Sequence, residues 1–310
     1  MPRPEFTDQI RDRLLSDEVS QRGTLAISSI HGLGGIGKSV LAAHLTYASE
    51  VHERFPDGIL WVTLGQTPDL LPLLGQWIYE LGDQDYSPTT VEAASSYLRS
   101  LLADKTMLLV VDDLWDASHF EYFKLAGKGC RVLATTREVR LPNAAKFELD
   151  VMSLDQVITL VEKRLGAIAA RDRAEFEAVA AAVGFLTLAI ELAAAQVDDG
   201  LRWGEVLADL REEFDALDAS CAEDTTDEAV RRKLSLRACF QLSLRRLSAD
   251  ALARFAWLGV TPEDAAVPVA MVARLWQVSS GKARRLLKEM RERSLLMDGA
   301  AGGIRLIDML

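Results

Sequence analysis

The sequence has few cysteines, no excess of positive charge and no long apolar run. Its three cysteines, Cys130, Cys221 and Cys239, are odd in number and far apart, which argues against a disulfide framework or a zinc site. The net charge of -11 argues against attraction of the whole surface to nucleic acid or to an anionic membrane. We find neither an apolar signal region nor a run that could span a bilayer, so we expect a cytoplasmic protein without a membrane partner.

Apolar patterns divide the 310 residues into a strand-containing first part and a helical remainder. Short apolar runs typical of buried strands occur before residue 150, and helical periodicity continues from there almost to the end. A polar, acidic stretch at 221–227 separates two groups of helices, and no internal repeat indicates a solenoid. We therefore predict three domains, at 1–151, 152–219 and 227–310.

Residues 31–39, HGLGGIGKS, fit the pattern G-x-x-x-x-G-K-[ST] of a phosphate-binding loop. Glycines let successive backbone N–H groups point inward and form a nest for an anion. Lys38 can reach the outer phosphates, and the Ser39 hydroxyl can hold Mg2+. A strand pattern before the loop and a helix pattern after it argue against a chance match. The nucleotide-binding residues predicted here are Gly32, Leu33, Gly34, Gly35, Ile36, Gly37, Lys38, Ser39 and Val40.

The apolar run at 107–113, MLLVVDD, ends in two acidic residues. A buried parallel strand that delivers carboxylates at its carboxyl end has this pattern, and a P-loop protein keeps its nucleotide at that end. We predict that Asp112 belongs to the Mg2+ shell and that Asp113 orients or activates the attacking water. The structural alternative is a strand followed by an ordinary acidic turn.

A further apolar run at 130–137, CRVLATTR, ends in a cation. Its carboxyl end should lie in the same row as Asp112, so Arg137 could sense a γ-phosphate. The alternative is a surface arginine after a strand. Lys38, Asp113 and Arg137 are the predicted catalytic residues.

Together the motifs resemble the NB-ARC nucleotide-binding module of STAND ATPases, which plant disease-resistance proteins, the animal apoptosome scaffold and many bacterial regulators share. The resemblance implies a P-loop NTPase parallel sheet with helices on both faces, then a small helical domain and a winged-helix domain. It rests on PRPE at 2–5, ILWV at 59–62, DDLW at 112–115, TTR at 135–137, GFLTLAI at 184–190, RLW at 274–276, RSLL at 293–296 and LIDML at 306–310.

The resemblance implies a switch that binds ADP or ATP with Mg2+. ADP is expected to hold the module closed, and ATP to open it and allow self-association. Hydrolysis is expected to be a slow ATPase reaction that resets the switch. Sensor and effector domains are absent from this chain, so we expect an isolated switch module.

The resemblance also implies nucleotide contacts outside the loop, and two of these positions depart from the family pattern. Thr187 stands where the family has a proline that packs on the nucleotide, and Ile307 where it has a histidine that contacts the ADP β-phosphate. We therefore expect a weaker hold of ADP on the closed state. The implied contacts are Pro2, Arg3, Thr136, Arg137, Thr187, Leu188 and Ile307.

DNA binding is the alternative function. Three helices followed by a hairpin are the order of a winged helix, whose third helix can enter the major groove. Residues 282–293 lie on that helix and contain six cations against two acids, which could contact phosphates. A solvated helix face is the plain alternative. Because the chain as a whole is acidic, we do not expect DNA as its main partner.

Overall fold

The computed structural model describes residues 3–16, 24–29, 35–124, 129–136, 141, 144–220, 228–261, 266–298 and 303–306. Internal contacts divide the chain into two compact units. The first comprises Met1–Leu33 and Gly37–Asp150, and the second comprises Gly34–Ile36 and Val151–Leu310. No helix in the described ranges combines the length and apolarity that crossing a membrane requires.

The first unit contains a five-stranded sheet in which every strand pair is parallel. Its spatial order is β2-β3-β4-β1-β5. Because the strands are parallel and adjacent, the carboxyl ends of β3, β4 and β1 lie side by side. Open α/β sheets bind their ligands outside the carboxyl ends of the strands. The strands are β1 (Thr24–Ser29), β2 (Ile59–Gly65), β3 (Leu108–Leu114), β4 (Arg131–Thr136) and β5 (Ala145–Leu149). The predicted parallel α/β fold is confirmed.

The burial of side chains differs between the central strands and the edge strand β5. All six residues of β4 and six of the seven residues of β3 are buried, as expected for a parallel strand covered on both sides. By contrast, β5 alternates polar and apolar side chains at the edge of the sheet. β5 was not predicted from the sequence, because it is short and polar residues interrupt its apolar ones.

Helices pack on this sheet with their apolar faces. In α4 the buried residues Leu74, Trp77 and Ile78 follow helical spacing, and the Trp77 ring meets Phe123 edge-on with centroids 5.2 Å apart. The short helices α3 and α6 were not predicted. The helices of this unit are α1 (Pro4–Leu15), α2 (Lys38–Thr46), α3 (Ser49–Arg54), α4 (Leu70–Glu80), α5 (Val91–Leu101) and α6 (Ala117–Phe120).

The second unit is helical and ends in an antiparallel strand pair, β6 (Leu296–Asp298) with β7 (Ile304–Leu306). Its first helix begins with the capping box of Ser153 and Gln156, and α9 is buried along most of its length. The helices are α7 (Leu154–Leu165), α8 (Arg173–Ala182), α9 (Thr187–Asp198), α10 (Trp203–Ser220), α11 (Glu228–Arg245), α12 (Ala249–Leu258), α13 (Val269–Leu275) and α14 (Ser280–Glu292).

Candidate functional site

The described part of the phosphate loop has the backbone that a nest requires. Gly35 and Gly37 have φ angles of 71° and 99°, in the left-handed region that glycine adopts without steric cost. Gly37 is also the residue before α2, and the first turn of α2 contains no acidic residue. The positive end of α2 can therefore receive an anion. The predicted contacts Gly32, Leu33 and Gly34 lie outside the described residues.

Lys38 is the first residue of α2 and is only 7% exposed. An ammonium group is rarely buried to this extent unless negative charge lies nearby. At the amino-terminal end of a helix, next to the loop glycines, the position of Lys38 is that of the lysine of a phosphate-binding loop. Ser39 follows in the same turn, and Val40 is half exposed.

The two acidic residues at the end of β3 lie in a bulge. Val111 pairs with Ala134 and Leu114 pairs with Thr136, so Asp112 and Asp113 both oppose one residue of β4, Thr135. Asp113 has a φ angle of 50°, which is uncommon for an aspartate. Bulges of this kind change the direction of side chains and are frequent beside active sites.

Thr135 binds both acidic residues with one hydroxyl group. It donates a hydrogen bond to Asp112 Oδ1 and accepts one, at 2.9 Å, from the backbone N–H of Asp113. Thr135 is fully buried and Asp112 is 2% exposed. The indole of Trp115 donates to Asp113 Oδ2 at 3.0 Å. Thr135 and Trp115 were not among the predicted site residues, although they lie in the TTR and DDLW motifs.

The next threonine has a different role in the sheet. The Thr136 hydroxyl donates to the carbonyl oxygen of Leu114 at 2.9 Å, and its side chain is fully buried. This hydroxyl therefore joins β4 to β3, whereas the Thr135 hydroxyl binds the Asp112 carboxylate and the Asp113 backbone N–H. Arg137, the predicted γ-phosphate sensor, lies outside the described residues.

Arg3, near the start of the chain, is buried. Pro2, the other contact predicted in this segment, lies outside the described residues. The Arg3 guanidinium donates to the carbonyl oxygen of Asp150, at the end of the first unit. Burial lowers the pKa of Arg3, and the nearby Asp150 carboxylate opposes that shift. Arg3 therefore ties the start of this unit to its end.

In the second unit, the start of α9 contacts two residues of the phosphate loop. The Thr187 hydroxyl donates to the carbonyl oxygen of Ile36 at 3.2 Å, and the Leu188 N–H donates to that of Gly35 at 3.1 Å. A Cβ atom on Gly35 would lie 2.9 Å from Leu188 Cβ, so only glycine fits. A proline at 187 could not form the hydroxyl bond. Ile307 lies outside the described residues.

The site residues of the first unit fit a nucleotide with Mg2+. A buried carboxylate at the end of β3 is a hard oxygen ligand, and Mg2+ in nucleotide sites is held by one or two protein oxygens together with the phosphates. Asp112 and Ser39 are the residues that would supply those oxygens.

Comparison with known proteins identifies the family. The NB-ARC domain matches residues 4–164. The chain is 30% identical to the regulatory protein AfsR of Streptomyces griseus, over 99% of this chain and 31% of that protein. It is 26% identical to apoptotic protease-activating factor 1 of Danio rerio, over 95% and 24%, and 24% identical to a probable disease resistance protein of Arabidopsis thaliana, over 68% and 24%. The chain thus spans less than a third of each relative's length.

Proposed function

Because the chain belongs to the NB-ARC family, we propose that it is a molecular switch controlled by ADP and ATP. The observation that supports this most strongly is a buried lysine at the amino-terminal end of α2, after two glycines in the left-handed conformation, together with buried carboxylate and hydroxyl groups at the end of β3 and β4. The relatives include a regulatory protein and an apoptotic protease-activating factor, which favours a role in signalling over metabolism.

In the proposed switch, the loop N–H groups and Lys38 bind the phosphates of the nucleotide. Ser39 and Asp112 hold Mg2+, which neutralises charge on the phosphate oxygens. Asp113 orients the water that attacks the terminal phosphate, and Arg137 distinguishes ATP from ADP. Thr187 and Leu188 contact the nucleotide from the start of α9.

Slow hydrolysis is part of the proposal. The Trp115 indole donates to Asp113 Oδ2, so it competes with an attacking water molecule for this carboxylate. A switch needs its ATP state to last, and a partly occupied carboxylate favours that. The helices α12–α14 with β6 and β7 form the proposed winged-helix domain, and self-association is proposed for the ATP state.

Nucleotide binding tests the proposal. We expect Lys38→Ala to weaken Mg-ATP and Mg-ADP binding by at least about tenfold, because a hydrogen bond to a charged group contributes roughly 1.5–3 kcal/mol. Asp112→Asn should weaken binding chiefly when Mg2+ is present. Isothermal titration calorimetry measures both effects, and Lys163→Ala, which removes an exposed lysine of α7, is the control. Equal affinity of the parent and Lys38→Ala would contradict the proposal.

A further inference from the structure

The last two helices of the chain form a helix pair with a short turn. Four residues, Trp276–Ser279, connect α13 to α14, and the Ser279 hydroxyl caps α14 by accepting from the backbone N–H of Lys282 at 3.3 Å. α14 has a buried face and an exposed face. The buried face consists of Ala283, Leu286, Leu287 and Met290.

Half of the six cations of residues 282–293 serve the fold. Lys282 forms an ion pair with Asp250 at 2.7 Å. Arg291 donates to the carbonyl oxygen of Gly303 at 3.2 Å. Arg293 donates to the Arg246 and Glu289 carbonyl oxygens, both at 3.1 Å, and pairs with Asp199. These three cations have structural partners, so they do not need an external anion.

The remaining cations are exposed and form a surface that we name the basic face: Arg274 of α13 with Arg284, Arg285 and Lys288 of α14. Lys288 lies three and four residues after the two α14 arginines of this face, a spacing that places all three side chains on one side of the helix. In the part of the chain that the structure describes, no ion pair or hydrogen bond engages the side chains of Arg274, Arg284 or Arg285. Lys288 has one weak pair, with Glu292 at 3.5 Å.

Polar groups adjoin the basic face at the turn between the helices. A surface groove there is lined by Arg274, Gln277, Ser279 and Ser280, with small apolar residues between them. Gln277, Ser279 and Ser280 are exposed and can donate hydrogen bonds. The side chains at the start of α14 are small, which permits close approach of a ligand to the backbone of the helix.

We propose that the basic face binds double-stranded DNA, with α14 in the major groove. α14 has 13 residues and is about 20 Å long, and a helix fits with its exposed side into a B-form major groove about 12 Å wide. Cations at both helices would contact phosphates, as in other helix pairs that bind DNA. The deep, narrow major groove of A-form RNA does not admit a helix, so the shape favours DNA. The net charge of -11 lies on the whole chain, whereas binding depends on the local charge of this face.

Fluorescence anisotropy with a labelled 20-base-pair duplex of mixed sequence tests the proposal across a range of KCl concentrations. We expect the double variant Arg284→Gln, Arg285→Gln to lose roughly 60-fold in affinity near 0.1 M salt, because each phosphate contact contributes a salt slope of about 0.9. The slope itself should fall by about 2. Arg284→Lys, Arg285→Lys retains the charge and should retain most of the affinity.

The matched control is Lys163→Gln, Arg171→Gln, which removes two exposed cations outside the basic face. Its affinity and salt slope should equal those of the parent. The proposal is overturned if the parent does not bind the duplex at low salt. It is overturned as well if Lys163→Gln, Arg171→Gln loses as much affinity as Arg284→Gln, Arg285→Gln does. It is also overturned if polyglutamate, anionic vesicles or duplex RNA compete as well as DNA does. The proposed nucleotide site uses none of these residues, so nucleotide binding and duplex binding can fail independently of each other.

Discussion

A single buried hydroxyl group organises the acidic end of β3. Thr135 fixes the Asp112 carboxylate through one oxygen and the Asp113 backbone through its N–H, in a bulge where Asp113 adopts a left-handed conformation. A non-glycine residue in this conformation is typical of positions that the surroundings constrain. Without Thr135, neither the bulge nor the orientation of the carboxylates has the same support.

We therefore expect Thr135→Val to slow ATP hydrolysis by at least about tenfold, since the lost bond to a charged group corresponds to roughly 1.5–3 kcal/mol. Thr135→Ser keeps the hydroxyl and should restore most of the rate. Thr136→Val should instead lower the free energy of unfolding by about 1 kcal/mol, because its hydroxyl joins two strands. Single-turnover hydrolysis and urea unfolding measure these effects. Hydrolysis by Thr135→Val at the parent rate would refute the assigned role.

The phosphate loop and the start of α9 meet through backbone and side-chain contacts that leave no space. The Leu188 N–H donates to the Gly35 carbonyl oxygen, and the Thr187 hydroxyl donates to the next carbonyl oxygen. A Cβ atom added to Gly35 would lie only 2.9 Å from Leu188 Cβ. The conformation of this part of the loop therefore depends on an element that lies about 150 residues away in the sequence.

Gly35→Ala tests this dependence, and Gly82→Ala is its matched control. Both glycines have positive φ angles, 71° and 100°, so alanine should cost about 1–2 kcal/mol at each. Only Gly35 also meets a neighbour, whereas the space around Gly82 is open. We expect Gly35→Ala to weaken Mg-ADP binding at least tenfold in calorimetry and Gly82→Ala to leave it unchanged. Equal ADP affinities in the two variants would show that this contact does not shape the loop.

Elements with a strong local signal could be predicted from the sequence, and those that depend on pairing could not. The buried run of β3 and the helical periodicity of α14 are visible in the residues themselves. The edge strand β5 lacks a continuous apolar run, and its polar Lys146 and Glu148 are typical of loops as well as of edges. The role of Thr135 depends on a bulge that changes the register between β3 and β4, which no local pattern reveals.

At the largest scale that the described residues permit, polar contacts join the first helix of the second unit to the last. Within the second unit, Arg164 of α7 donates to the Ser294 hydroxyl at 2.7 Å and to the Glu292 carbonyl oxygen at 2.8 Å, and pairs with Asp198 at 3.2 Å. Exposed pairs contribute little individually, with a median of about 0–1 kcal/mol. This network holds the end of α14 near α7 and α9, and the proposed switch would have to break it if α14 moves with the state of the nucleotide.

The most direct test of the proposed switch is hydrogen–deuterium exchange of the chain with Mg-ADP and with a non-hydrolysable ATP analogue. A ligand shifts a conformational equilibrium only by its differential affinity for the two states, so the two nucleotides must give different patterns. We predict that peptides covering residues 280–298 exchange faster with the ATP analogue than with ADP, and that Lys38→Ala abolishes the difference. Identical exchange in the two nucleotide states, with both nucleotides shown to be bound, would contradict the account.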